Sequence, residues 1–158
     1  MTIDYDEIIE DRLWVGSFIR SDEVSKLKSM GITKIISVQS DEDLASHGIS
    51  LTRILIACRQ EGVEYQRIPT PDFDKVALAV NLPLCVAEVE AALSMSESGV
   101  YLHCTAGINR APTIAAAYLM RVHGLSAQAA CKYVVERRDC EPYLELLESY
   151  EQNLRPAG

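Results

Sequence analysis

The chain has 158 residues, 48% apolar and 24% charged, the balance of a soluble globular protein with enough length for one substantial core. Its 15 basic and 23 acidic residues give a net charge of −8, which argues against general affinity for nucleic acid or an anionic membrane but leaves room for a local basic pocket. The acidic start Met-Thr-Ile-Asp-Tyr-Asp-Glu lacks the apolar segment of a secretory signal, and no apolar run is expected to reach the length that crosses a bilayer.

One domain is expected over residues 1–158, with its core over about 8–154. Residues Ile8 to Val15 read as a hairpin-like entry, with Asp11 and Arg12 at the turn. Ser21 is placed to cap a helix carrying Val24, Leu27 and Met30, which Gly31 stops. Lys34 to Val38 is a β-branched run and a predicted buried strand. Ser50 caps a predicted helix through Leu51, Ile54, Leu55 and Cys58, ending near Gly62, and Val63 to Ile68 reads as another strand. Pro69-Thr-Pro-Asp-Phe-Asp74 is a loop, because its two prolines break regular structure. A helix is predicted from about Leu82 to Met95, with Pro83 in its first turn. Gly99 to His103 reads as a strand. Pro112 sits in the first turn of a helix that Gly124 stops. Ser126 caps a helix through Arg137, and Glu141-Pro142 opens a last one to about Leu154, its acidic residues on a solvated face. Trp14 and Tyr101 are expected in the core. Strands alternating with helices predict an α/β domain with a central, mostly parallel sheet flanked by helices.

The five cysteines, at 58, 85, 104, 131 and 140, are odd in number and scattered. They fit neither a disulfide framework nor a zinc site, and a cytoplasmic or other reducing compartment suits them. Cys58, Cys85 and Cys131 read as core. Cys104 differs because it opens the loop Cys104-Thr-Ala-Gly-Ile-Asn-Arg110 between a strand and a helix. Backbone N–H groups entering a helix N-terminus favour a bound phosphate, and they favour a thiolate beside it. Arg110 presents a guanidinium that grips two phosphate oxygens at once. The backbone of Thr105, Ala106, Gly107, Ile108, Asn109 and Arg110 would line the anion, and Gly107 allows tight curvature around it. His103 reads as an orienting hydrogen-bond group. Asp72 and Asp74, on the Pro-bracketed loop, are the candidates for a carboxylic acid that protonates a leaving oxygen.

These residues carry a resemblance. His103-Cys104-x5-Arg110 resembles the signature of protein tyrosine phosphatases, and the chain from about Leu13 to Pro142 is similar to their compact dual-specificity branch. Cys-Thr-Ala-Gly-Ile-Asn-Arg-Ala-Pro is similar to the loop of plant glucan phosphatases and, more loosely, of laforin. The resemblance implies a cysteine-dependent phosphatase that needs no metal or other cofactor. It places the general acid on Asp72, within Asp-Phe-Asp. The phosphorylated partner it implies is a phosphoglucan or a phosphoprotein. A phosphate-binding adaptor without turnover is the alternative reading. Phe73 matches an aromatic of the glucan phosphatases and reads either as a sugar-binding face or as a core plug that orders the loop. Two positions depart from the pattern. Ala111 stands where many members carry Ser or Thr, with Thr113 a substitute hydroxyl. Asn109 stands where the glucan phosphatases have Gly, a place where Asn tolerates left-handed backbone and its side chain would narrow the pocket.

Overall fold

The computed structural model describes residues 3–154, so the two ends of the expected span, 1–2 and 155–158, lie outside the described residues. In chain order the elements are β1 (Tyr5–Ile9), β2 (Leu13–Gly16), a 3-10 turn (Ser21–Glu23), α1 (Val24–Ser29), β3 (Ile32–Ser37), α2 (Asp41–Ser46), α3 (Leu51–Glu61), β4 (Glu64–Arg67), α4 (Lys75–Leu93), β5 (Gly99–His103), α5 (Arg110–His123), α6 (Ala127–Arg137) and α7 (Leu144–Leu154). The sheet order is β1-β2-β5-β3-β4, and β1–β2 is its antiparallel pair. The fold is therefore α/β with a mostly parallel five-stranded sheet, as the sequence predicts.

Alternation along the strands divides the core in two. Leu13, Val15, Ile36, Val100 and Leu102 face one side, where residues of α4, α5, α6 and α7 cover them. Trp14, Ile35 and Tyr101 face the other, against Val24 and Leu27 of α1 and Ile54 and Cys58 of α3. A strand buried on both faces needs an apolar residue at every position, which is why Val100-Tyr-Leu102 reads as a continuous run. The parallel register sets His103, the last residue of β5, level with Gly16 of β2 and Ser37 of β3. Parallel strands thus end together on one edge, where α/β sheets receive their ligands.

Four local expectations are corrected. Ser21 caps nothing; residues 21–23 form the 3-10 turn, and Glu23 instead accepts a 2.8 Å bond from the Arg20 N–H. Helix α4 starts at Lys75, seven residues before its predicted start, because the Asp74 carboxylate accepts from the Ala77 N–H at 2.9 Å. Pro83 consequently lies inside the helix, where both it and Ala79, whose carbonyl loses its helical partner, are exposed to water. With 19 residues and a mean hydropathy of 1.7, α4 is also long and apolar enough to cross a bilayer, against expectation. Here it packs Leu78, Leu82, Cys85, Val86 and Val89 into the core. Finally, α7 begins at Leu144 because the Glu141 and Tyr143 N–H groups are engaged elsewhere: Glu141 donates to the Ile108 carbonyl at 2.8 Å and Tyr143 to the Thr113 hydroxyl at 2.9 Å.

Candidate active site

Cys104 follows β5 directly and is buried, 2% exposed. The loop after it owes its shape to acceptors caught from outside. The His103 Nδ1–H donates to the Cys104 carbonyl at 2.9 Å, and the Phe18 N–H to the Thr105 carbonyl at 2.9 Å. Arg138 takes the next two, with Nη2 on the Ala106 carbonyl at 3.1 Å and Nε on that of Gly107 at 2.7 Å. The Glu141 N–H holds the Ile108 carbonyl. In a trans peptide the C=O and the following N–H point in opposite directions. Drawing the carbonyls of residues 104–108 outward therefore turns the N–H groups of 105–109 inward, toward the space in front of Cys104. The inner wall of an anion cradle is built by what grips its outer wall.

Gly107 is required twice over. Its φ is +70°, and a Cβ there would stand 2.6 Å from the Gly16 backbone and 2.8 Å from Arg138 Nη2. Arg138 is 4% exposed, and its charge is balanced by Asp6 at 2.9 Å and Asp4 at 3.2 Å, both from the β1 side. Gln39, 1% exposed, donates to the Thr105 hydroxyl at 3.0 Å.

Arg110 opens α5 at 2% exposure. Its Nη1 is fully engaged, donating to Asp43 at 2.7 Å and to the Thr70 carbonyl at 2.8 Å. Its Nε is buried without a hydrogen-bond partner, and the nearest carboxylate oxygen, on Asp72, lies 3.4 Å away. One edge of the guanidinium is thus anchored while the other carries a desolvated, unspent donor, an arrangement suited to an oxyanion. Burial raises the Asp43 carboxyl, but the hydrogen bonds from Arg110 and Ser40 outweigh it and hold the group below its ordinary value.

The two loop carboxylates separate. Asp74 is committed to capping α4, whereas Asp72 is partly exposed and faces Arg110. Phe73, between them, is 79% exposed at φ +62°, so it plugs no core. Asn109 does not behave as expected. Its backbone, at φ −115°, is not left-handed, and its side chain turns away from the cradle to donate to the Glu141 carbonyl at 2.9 Å. The Thr113 hydroxyl has two partners: it donates to the Asn109 carbonyl at 2.7 Å and accepts from the Tyr143 N–H at 2.9 Å.

His103 is buried, and desolvation lowers its pKa to about 4, so it is a neutral orienting group. Burial pushes the other thiols the opposite way, to about 11 at Cys58 and Cys140 and about 12 at Cys85, which leaves them inert. Cys131 is only half-buried, less than expected. Among the described residues, no group of three or more His, Cys, Asp or Glu side chains is arranged to hold a metal ion.

Sequence reasoning missed Asp43, Gln39 and Arg138. Asp43 lies on α2, whose signal is Ser40-x-x-Asp43, a reciprocal cap in which Ser40 Oγ accepts from the Asp43 N–H at 3.2 Å and Asp43 accepts from the Ser40 N–H at 2.8 Å. Arg138 carried no signal, since it reads as one more basic residue at a helix end.

A parallel sheet whose central strand runs into a Cys-x5-Arg loop at a helix N-terminus is the arrangement that the resemblance to the dual-specificity branch of the protein tyrosine phosphatases implies, and the family match agrees with it. Residues 13–152 match the family described as "Dual specificity phosphatase, catalytic domain", and the chain belongs to it. Among similar proteins, "Phosphoglucan phosphatase DSP4, amyloplastic" of Castanea sativa is 34% identical over 149 residues, covering 93% of this chain and 40% of the relative. "Dual specificity protein phosphatase Mpk3" of Drosophila melanogaster is 31% identical over 154 residues, covering 94% of this chain and 34% of the relative. The chain thus spans less than half the length of either. The crystal structure of PTPMT1 has the same fold, with a TM-score of 0.78 at 22% identity over 95% of each chain.

Proposed function

We propose that the chain hydrolyses phosphomonoesters through a phosphocysteine on Cys104 and that its substrate is a phosphoglucan. The observation that carries the chemistry is the cradle: inward N–H groups at 105–109, the Nε of Arg110 without a hydrogen-bond partner, and buried Cys104 at the start of the loop. In the first step Cys104, as the thiolate, attacks phosphorus, the phosphorus–oxygen bond to the leaving group breaks, and Asp72 gives that oxygen its proton. In the second step water attacks phosphorus, the ionised Asp72 takes its proton, the phosphorus–sulfur bond breaks and inorganic phosphate leaves. The cradle and Arg110 stabilise the charge on the equatorial oxygens in both steps.

Phe73 supports the glucan reading. A left-handed backbone costs a non-glycine residue about 1–2 kcal/mol, and here it presents an aromatic face to water beside the acid. Such a face suits the apolar side of a sugar ring. The similarity to the Castanea sativa phosphoglucan phosphatase points the same way. A phosphoprotein substrate is the second reading, supported by the likeness to the Drosophila protein phosphatase.

The deciding assay compares phosphate release from phosphorylated starch or glycogen with release from a phosphopeptide panel, using Cys104→Ser as the blank. The expected outcome is glucan turnover that falls about tenfold in Phe73→Ala relative to turnover of an aryl phosphate. Activity confined to peptides would replace the glucan by a phosphoprotein. Equally poor cleavage of an aryl phosphate by wild type and Cys104→Ser would leave a phosphate-binding adaptor.

A further inference from the structure

The acid loop is tied to the body of the protein on one side by buried bonds. Thr70 is fully buried; its N–H donates to the Val38 carbonyl at 3.0 Å, its hydroxyl accepts from Asn81 at 2.8 Å, and its carbonyl accepts from Arg110. Beyond Thr70 the hydrogen bonds of the tip are internal: the Asp74 N–H to the Pro71 carbonyl at 3.4 Å and the Phe73 N–H to the Asp72 carboxylate at 3.0 Å. The tip also contains the left-handed Phe73. The tip's tie outward is the 3.4 Å ion pair of Asp72 with Arg110, which makes no hydrogen bond, so the local bonds fix the loop's shape more firmly than its place.

The other side of the tip runs into α4 at Lys75. The Lys75 ammonium pairs with Glu145 of α7 at 2.6 Å and lies 4.8 Å from the centre of the Tyr143 ring. Tyr143 is itself fastened to the phosphate loop, because the Thr113 hydroxyl that receives its N–H donates to the Asn109 carbonyl. Its phenol lies within electrostatic reach of Asp72, Lys75, Arg110 and Cys104. Three parts of the molecule therefore meet at Lys75: the acid loop, the start of α7 and, through Tyr143, the cradle.

We propose that Lys75 is a positioning residue for Asp72, its ammonium latching the acid loop over the cradle by sitting on Tyr143 and pairing with Glu145. The proposal rests on the assignment of Asp72 as the general acid. An isolated exposed ion pair contributes little; here the pair is joined by a cation–π contact and lies three residues from the carboxyl it would place.

Leaving-group dependence tests it, because proton donation matters more when the departing oxygen is an alkoxide than when it is a nitrophenolate. The kcat/KM values for glycerol 2-phosphate and 4-nitrophenyl phosphate are measured for wild type, Lys75→Met, Lys75→Arg and Asp72→Asn. The expected result is that the alkyl-to-aryl ratio falls about fivefold in Lys75→Met, recovers in Lys75→Arg, and falls furthest in Asp72→Asn. If Asp72→Asn lowers the ratio but Lys75→Met leaves it at the wild-type value, the latch is overturned and the acid assignment stands. If Asp72→Asn leaves the ratio unchanged, the acid assignment fails and the latch with it.

Discussion

The two halves of the site are built by opposite means. The phosphate loop is gripped from behind by buried groups, Arg138 at 4% exposure and His103 at 1%, and its outward carbonyls have partners. The loop of Asp72 reaches into water, with Phe73 at 79% exposure, and across its tip the hydrogen bonds are internal, the ion pair of Asp72 with Arg110 reaching outward. A cradle for charge that develops on three oxygens gains from being fixed before the reaction begins. A proton donor must meet leaving groups of different size, and so gains from a support that yields. The difference gives the rigid half a large sensitivity to substitution and the exposed half a small one.

The strongest way to break that contrast is Gly107→Ala. The new methyl group meets the Gly16 backbone at 2.6 Å on a left-handed residue. Stability should fall by about 4 kcal/mol, read by urea denaturation, and turnover of any phosphomonoester by about a hundredfold. Retained activity would show that the loop is softer than its bonds imply.

Acid should find the same half next. The folded His103 pKa is about 4 and the unfolded value 6.5, so the unfolded chain takes up a proton first as pH falls. Stability is then lost between pH 6.5 and 4, by about 3 kcal/mol from this group alone. Urea midpoints measured across that range for wild type and His103→Asn isolate the contribution, which should vanish in the variant.

Arg138→Met removes a buried cation whose carboxylate partners, Asp4 exposed and Asp6 half-buried, can regain water. We expect a loss of about 2 kcal/mol and weaker inhibition by vanadate, since the 106–107 carbonyls are released. Unchanged vanadate inhibition would mean that the remaining bonds hold the cradle without it. The smallest effect should come from the exposed half. Phe73→Gly relieves the left-handed residue and should raise stability by about 0.5 kcal/mol, and a loss above 1 kcal/mol would show that the exposed ring packs on something.

What was legible in the sequence follows the same division. The order of elements apart from α2 (Asp41–Ser46), the parallel sheet and the Cys104 loop were readable because each leaves a local trace: a β-branched run, a cap, a glycine stop. The sequence separated Asp72 from Asp74 by likeness alone, and the commitment of Asp74 to capping α4 is a physical difference between them that only the structure displays. The α4 start was misread because Pro83 looks like a first-turn proline, although an exposed helix face tolerates it. Asp43 and Arg138 stayed hidden because their work is done on partners 67 and 31 residues away, contacts that no local pattern records.

The outward carbonyls of residues 104–108 have one more consequence. A segment whose acceptors are already taken has little conformational freedom left for a ligand to remove. The entropy of shaping the oxyanion site is lost when the chain folds, and none of it is charged to the arriving phosphate. The empty and occupied loops should therefore superimpose, and the temperature dependence of oxyanion binding should report desolvation rather than ordering of the chain.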